Sequence, residues 1–220
     1  MSKLPKYHEE WFFFINLMTT NKTEWFREAK HFNFITDEFL PKWQKLGKKH
    51  LKVWCAASST GEEAYTLSLV LDVALKNTDC TFEILATDIN TKVISLAENG
   101  VYQTSNLAQI PAQFQDGFVI GADDLKDWMK VKKHIKDRVK FNYFNLNATP
   151  YMWNDQFDLT LCRNVMIYFN KPTVERVVEA IHQSSTKDSC LIISYSETLQ
   201  NTGTSWNYLS PSIYTKGKLF

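Results

Sequence analysis

The segment VWCAASSTGEEAY, Val53 to Tyr65, sets two adjacent carboxylates, Glu62 and Glu63, behind a single glycine at the start of an apolar stretch. An apolar run, residues 51–57, ends in small side chains just before them. That is the order of the strand–turn–helix that seats a nucleotide, yet a phosphate cradle needs several glycines and backbone amides facing an anion. A third acid, Asp88, follows 25 residues after Glu63 at the end of a second strand-like run, FEILATDIN. At that place an acidic side chain can take both hydroxyls of a ribose. A nucleoside is therefore expected. A pyrophosphate is not, because Glu62 and Glu63 would repel it at the helix start. The carboxylates suit a ligand whose other end is cationic, and S-adenosylmethionine has that make-up: adenosine, no phosphate, a sulfonium and an α-ammonium. Taken singly, the acids have plainer readings. Glu62 and Glu63 could be favourable acids in a helix first turn, worth roughly a few tenths of a kcal/mol each, and Asp88 could be a cap or turn residue.

Positioning these residues takes an α/β sheet. Residues 51–57 read as a buried strand and GEEAYTLSLVLDVALKN as a helix. FEILATDIN reads as the next strand, and TKVISLAENGVY as a helix that stops at Gly100. Strand–helix–strand–helix implies parallel strands with right-handed crossovers, and such sheets bind ligands outside the carboxyl ends of their strands. Residues 103–140 break the alternation and read as a small insert containing the basic run 130–140, either a solvated face or a docking patch for an acidic surface. VKFNYFNLN resumes the sheet. FDLTLCRNVMIYF is a central strand running into a loop, KPTVERVVEAIHQ a helix and SCLIISYSE a further strand. WNYLSPSIYTKGKLF supplies a closing antiparallel pair. Ahead of the sheet, residues 8–18 are too densely apolar for an exposed helix. A second helix is expected over about residues 22–31, with Asn21 and Glu24 in a capping-box relation. A third, TDEFLPKWQKLGKK, has Thr36 as its cap and closes near Gly47. The expected division is a helical segment, 1–47, and a sheet domain, 48–220.

Composition narrows the function classes. The chain has 220 residues, 44% hydrophobic and 14% aromatic, enough for a real core, and a net charge of +1. That balance argues against a nucleic-acid partner, which calls for a strongly basic field. No apolar run reaches the roughly 18 residues of a membrane span, and the N-terminus lacks a signal-peptide core. The four cysteines form no C-x-x-C pair. They read as small buried apolar residues in a reducing, cytoplasmic setting, with neither a disulfide frame nor a metal site.

The segments TTNKTEWFREAKHF, AASSTGEEAY, ATDIN and LCRNVMIYFNKPT resemble, in order, four motifs of the chemotaxis receptor methyltransferases, the CheR family. The resemblance runs from about residue 11 to 215. It implies a class I S-adenosylmethionine-dependent methyltransferase sheet, Rossmann-like, with a short N-terminal helical segment and a small β insert. It also implies methyl transfer from S-adenosylmethionine to glutamates on chemoreceptor cytoplasmic helices, leaving S-adenosylhomocysteine. Carried over by motif, the cofactor contacts are Asn21, Thr23, Arg27, Ala57 and Glu63, with Asp88 on the ribose. Asn145 and Leu146 flank the adenine, and Arg163 and Asn164 close the site beneath the methionine part. Arg27 and Tyr168 match the pair beside the transferred methyl. A receptor's C-terminal tether peptide is a candidate occupant of the insert, and a monomer is expected.

The chemistry agrees with that assignment. A glutamate has a pKa near 4.3 and is already an anion at neutral pH, so no general base is needed. In-line displacement asks for orientation: Arg27 can pin a carboxylate through its planar fork, and Tyr168 can hydrogen-bond one oxygen. Plainer readings exist here too: Arg27 as an ion-pair partner of Glu24 or Glu28, Tyr168 as core, Asn21 as a helix cap. The chain departs from the family in three ways. Its helical region before the first motif is short, the GHSE that usually follows the last core strand reads SYSE with Tyr195 at the His position, and Ala64 replaces a proline. A methyltransferase with another protein or small-acid acceptor, or a non-catalytic module binding the same cofactor, are the alternatives.

Overall fold

The computed structural model describes residues 21–152 and 156–220, so the helix expected over residues 8–18 lies outside the described residues. Seven strands build the main sheet: β1 (His50–Ala56), β2 (Thr81–Asp88), β6 (Val139–Tyr143), β7 (Phe157–Cys162), β8 (Ser185–Ile192), β9 (Asn207–Ser210) and β10 (Ile213–Lys216). Their order is β6-β2-β1-β7-β8-β10-β9. β1 pairs in parallel with β2 and β7, β2 with β6, and β7 with β8. β10 runs antiparallel to both β8 and β9, as the closing pair was expected to. The order reverses direction between β1 and β7, which makes the carboxyl ends of these two strands a topological switch point. All six residues of β7 are buried. β1 alternates its burial between two cores: Val53 and Cys55 face one cluster, Trp54 and Ala56 the other.

The crossover helices begin and end where local chemistry dictates. α3 (Glu62–Leu75) starts after Gly61, whose φ is 97°. A Cβ there would lie 2.9 Å from the Ala97 Cβ and 3.0 Å from the Tyr102 hydroxyl, so glycine is needed for both conformation and room. α4 (Thr91–Asn99) is capped by the Asn90 side chain, which accepts from the Lys92 and Val93 amides, and ends at Gly100 with φ 64°. α7 (Lys171–Gln183) is capped by Asn170, which accepts from the Thr173 amide.

The insert is a three-stranded antiparallel sheet, order β3-β5-β4, of β3 (Val101–Gln103), β4 (Phe118–Ile120) and β5 (Trp128–Val131). Short helices α5 (Ala112–Gln115) and α6 (Lys133–Lys136) flank it. It begins two residues earlier than the pattern suggested: Gly100 ends α4, and Tyr102 turns its hydroxyl onto the Thr60 carbonyl at 2.7 Å. The basic run 130–140 is divided among β5, α6 and the edge strand β6. Its lysines pair locally, Lys132 with Asp116 at 2.7 Å and Lys140 with Glu83 at 3.7 Å, while Ile135 is buried.

Two expectations fail near the start. Residues 25–29 form turns, with left-handed φ at Phe26 and Glu28, in place of a helix over 22–31. Tertiary packing overrides the helical pattern there: Trp25 is buried edge-on against Tyr102 and Phe118, and Phe26 stacks on Phe114. The helical run instead spans α1 (Lys30–Phe34), a π-helical segment Ile35–Phe39 and α2 (Leu40–Lys45). Thr36 therefore lies inside it and caps nothing; its hydroxyl donates to the Asn33 carbonyl. The widened turn ends at Pro41, which has no N–H to continue the i→i−4 ladder. β8 also differs from its reading, running Ser185–Ile192, so the SYSE residues lie in the loop beyond it. The four cysteines are free thiols, and no helix among the described residues is long and apolar enough to cross a membrane.

Candidate active site

The loop from β1 to α3 alternates ordinary residues with left-handed ones: Ala57 (φ 60°), Ser59 (φ 49°) and Gly61. Strain of this kind persists where the surroundings over-determine it. Here the Ser58 amide donates to the Thr87 carbonyl, and the Ser59 amide donates to Asp88 Oδ2 at 2.8 Å. Asp88 Oδ1 accepts from the Asn90 amide at 2.9 Å. Burial raises the Asp88 pKa, and these amides oppose the rise. A carboxylate has about four acceptor sites, so Asp88 keeps capacity for further donors.

Arg163, at the end of β7, is 1% exposed and sits between two acids. It donates to Glu63 Oε2 at 2.7 Å, to Glu28 Oε2 at 3.2 Å and to the Arg27 carbonyl. The second Glu63 oxygen accepts from the Cys55 thiol at 2.9 Å. Burial, reinforced by the Glu63 charge, pushes that thiol well up and keeps it a donor. Burial alone would raise the Glu28 carboxyl. The Ser194 hydroxyl, Arg163 and His31 outweigh it and hold Glu28 below the usual range. Buried His31 contacts Ser212 Oγ at 2.7 Å and Glu28 at 3.3 Å. Its burial, with Arg163 nearby, lowers its pKa to about 4.

A cavity of about 300 Å³ opens above this layer, and all eleven candidate residues contribute to its lining. Asn21, Thr23 and Arg27 come from the segment before α1; Ala57 and Glu63 come from the β1 loop and the start of α3. Asp88 ends β2, and Asn145 and Leu146 follow β6. Arg163, Asn164 and Tyr168 follow β7. Arg27 is half-buried and donates to the Lys22 carbonyl at 3.1 Å; it pairs with neither Glu24 nor Glu28 among the described residues. Tyr168 is 60% exposed at the rim and is not core. Asn164 has φ 58°, with its amide nitrogen Nδ2 on Ser194 Oγ at 2.6 Å.

Glu62 corrects the reading of the paired acids. It does not line the cavity but accepts from the Thr60 hydroxyl at 2.6 Å, because consecutive helical residues point about 100° apart. Only Glu63 faces the site. Three contributors were missed in the sequence: Glu28, Ser194 and Glu197. Ser194 Oγ donates to Glu28 Oε1 at 2.8 Å, and Glu197 accepts from the Asn164 amide at 3.1 Å and the Met166 amide at 2.9 Å. The SYSE motif carries both Ser194 and Glu197, whereas its Tyr195 packs its ring on His31 at 4.6 Å and lies outside the lining.

The cavity thus offers one carboxylate at the end of β2, a second held by a guanidinium at mid-floor, and a cation with a phenol at the rim. The description CheR methyltransferase, SAM binding domain, matches residues 21–214. The chain is similar to the chemotaxis protein methyltransferase of Borreliella burgdorferi, 33% identical over 208 residues, which is 92% of this chain and 72% of that protein. It is also similar to the chemotaxis protein methyltransferase of Salmonella typhimurium, 33% identical over 212 residues, 95% of this chain and 71% of that one. The Escherichia coli protein of the same description is 31% identical over 210 residues, 95% of this chain and 72% of the other. A solved S-adenosylmethionine-dependent methyltransferase from Clostridium acetobutylicum aligns with 95% of this chain and 65% of its own, at 14% identity and a TM-score of 0.42.

Proposed function

Because the chain belongs to the CheR methyltransferase family, we propose that it methylates glutamate side chains on the cytoplasmic helices of chemoreceptors. Membership of the family makes the chain an S-adenosylmethionine-dependent methyltransferase of chemotaxis. The residues of the cavity fit that cofactor. Asp88 retains acceptor capacity beside the loop amides, and Arg163 Nε and Ser58 Oγ are buried without a hydrogen-bond partner among the described residues. When bound, S-adenosylmethionine supplies a methyl group made electrophilic by its sulfonium.

The chain's own residues then have distinct tasks. Asp88 would take the ribose hydroxyls, and Asn145 and Leu146 would flank the adenine. Asn21, Thr23, Ala57 and Glu63 would hold the methionine end, with Arg163 and Asn164 beneath it. An acceptor glutamate arrives ionised, so the site asks for no general base. Arg27 would orient the acceptor carboxylate through its planar fork, and Tyr168 would hydrogen-bond one oxygen and aim the other at the methyl. Carboxylate and sulfonium become a neutral ester and a thioether, so excluding water from the pair lowers the barrier.

The observation that carries this reading is the position of Arg27 and Tyr168 at the rim of a cavity whose floor holds Glu63 and Arg163. The test is transfer of labelled methyl from S-adenosylmethionine to purified chemoreceptor cytoplasmic fragments, scored as base-labile ester. Arg27→Ala should abolish transfer while mainly sparing affinity for S-adenosylhomocysteine. Asp88→Ala should mainly weaken that affinity. Equal affinity losses in both variants with normal turnover at saturation, or label on residues other than glutamate, would sink the assignment.

A further inference from the structure

Glu197 lies in the loop after β8, in the SYSE motif, and none of the functions above uses it. Its carboxylate spans two loops. Oε2 accepts from its own loop, the Ser194 amide at 2.9 Å, and from the Asn164 amide at 3.1 Å. Oε1 accepts from the Met166 amide at 2.9 Å. Met166 opens the 3₁₀ turn Met166–Tyr168, whose last residue carries the rim phenol. The turn is short, and its own bonds are few: the Tyr168 amide donates to the Val165 carbonyl at 3.2 Å, and the Phe169 amide to the Met166 carbonyl at 3.0 Å. Just before it, Asn164 adopts φ 58° and Val165 φ −120°. A left-handed asparagine ahead of a single turn is a conformation that something outside the loop must hold.

No cation pairs with Glu197 among the described residues. Burial raises its pKa, and the backbone amides of Ser194, Asn164, Met166 and Ile167 pull against that rise. A half-buried carboxylate satisfied wholly by main-chain N–H groups is poorly explained as an ion-pair residue. It is well explained as a clamp, because each bond fixes a backbone atom and not a mobile side chain. The Asn164 side chain is secured separately by Ser194.

We propose that Glu197 is a positioning residue for methyl transfer, its carboxylate fixing the Asn164–Tyr168 turn so that the Tyr168 phenol meets the acceptor. The proposal rests on the role given to Tyr168 above. It distinguishes Glu197 from its neighbour Arg163, which supports the cofactor floor. Glu197→Gln keeps size and one acceptor oxygen but turns an NH₂ group toward a main-chain N–H. That mismatch loosens the turn without emptying the site.

Two readouts test it. With 3-fluorotyrosine incorporated throughout, the ¹⁹F resonance that vanishes in Tyr168→Phe reports the rim. It should shift or broaden in Glu197→Gln while the Tyr102 resonance stays in place. In methyl transfer to receptor fragments, Glu197→Gln should lower kcat at least tenfold with S-adenosylhomocysteine affinity within threefold of wild type. In a Tyr168→Phe background the same substitution should cost less than a further twofold, because the phenol it acts through is gone. An unmoved Tyr168 resonance, an affinity loss matching the turnover loss, or equal losses in both backgrounds would overturn the proposal. Glu197→Asp, which keeps the charge but shortens the reach, gives the same comparison if the glutamine variant does not fold. Wild-type protein without receptor methylation would overturn the acceptor assignment instead, and the fluorine spectrum would still judge the clamp.

Discussion

The two ends of the main sheet use charge in opposite ways. At the amino ends of the strands, Asp158, Glu83 and Asp79 each meet a lysine. Asp158, 5% exposed, takes Lys48 at 2.6 Å and also accepts from the Lys52 amide and the Thr186 hydroxyl. Glu83 lies within 3.7 Å of both Lys52 and Lys140, and Lys49 pairs with Asp79 in open solvent. At the carboxyl ends, Glu28 and Glu63 share one buried cation, Arg163, while Asp88 and Glu197 are held by main-chain amides, and hydroxyl and thiol donors complete the set. One end is neutralised by its own side chains. At the other, Glu24, Glu63 and Asp88 share the cavity lining with Lys22, Arg27 and Arg163; Arg163 is engaged by Glu63 and Glu28, and Asp88 is held by main-chain amides.

Breaking the carboxyl end should therefore cost most. Arg163→Leu takes the guanidinium from the largely buried Glu28 and Glu63, with an expected loss of about 3–5 kcal/mol in urea unfolding. Calorimetric binding of S-adenosylhomocysteine should vanish with it. Gly61→Ala puts a Cβ into φ 97° and against Ala97; strain and overpacking together should cost about 2–4 kcal/mol. Asp158→Ala removes a buried carboxylate at the amino end that serves Lys48, the Lys52 amide and the Thr186 hydroxyl, and should cost about 2 kcal/mol. Methyl transfer per folded molecule should stay unchanged, and a fall in kcat would show that the two ends are not separable.

Acid should select the carboxyl end. His31 binds its proton more weakly folded, about 4, than unfolded, 6.5. The unfolded chain therefore holds more protons between these values, and stability falls as pH drops from 6.5 toward 4. The lowered Glu28 pKa acts in the same direction at still lower pH. Urea midpoints measured between pH 7 and 4.5 should decline in the wild type and flatten in His31→Gln; parallel curves would remove His31 from the account. The smallest effect belongs to Lys49→Ala, which breaks a fully exposed pair and should leave the midpoint where it is.

Much of the architecture was legible in the chain. The buried β1, the almost wholly apolar β7, Asn90 and Gly100 at the ends of α4, and the order of strand and helix patterns follow from rules that act within a few residues. Eight of the eleven residues named from motifs meet at one cavity because strand ends in a parallel sheet share an edge; Asn21, Thr23 and Arg27 reach it from the segment before α1. What residue order could not settle were choices made by contacts distant in sequence. Residues 22–29 carry a helical pattern, but burying Trp25 against Tyr102 and Phe118 outweighs the hydrogen bonds a helix would supply. Glu62 and Glu63 are identical in type, and only the seating of α3 on the sheet decides that one meets Arg163 and the other Thr60. Glu28 and Glu197 have local partners in His31 and Ser194, but the contacts that tie them to the site, with Arg163 and Asn164, lie 135 and 33 residues away. Sequence determined which elements form and which residue types reach the carboxyl edge; the tertiary structure alone decided which carboxylates are spent on holding the site and which remain to face a ligand.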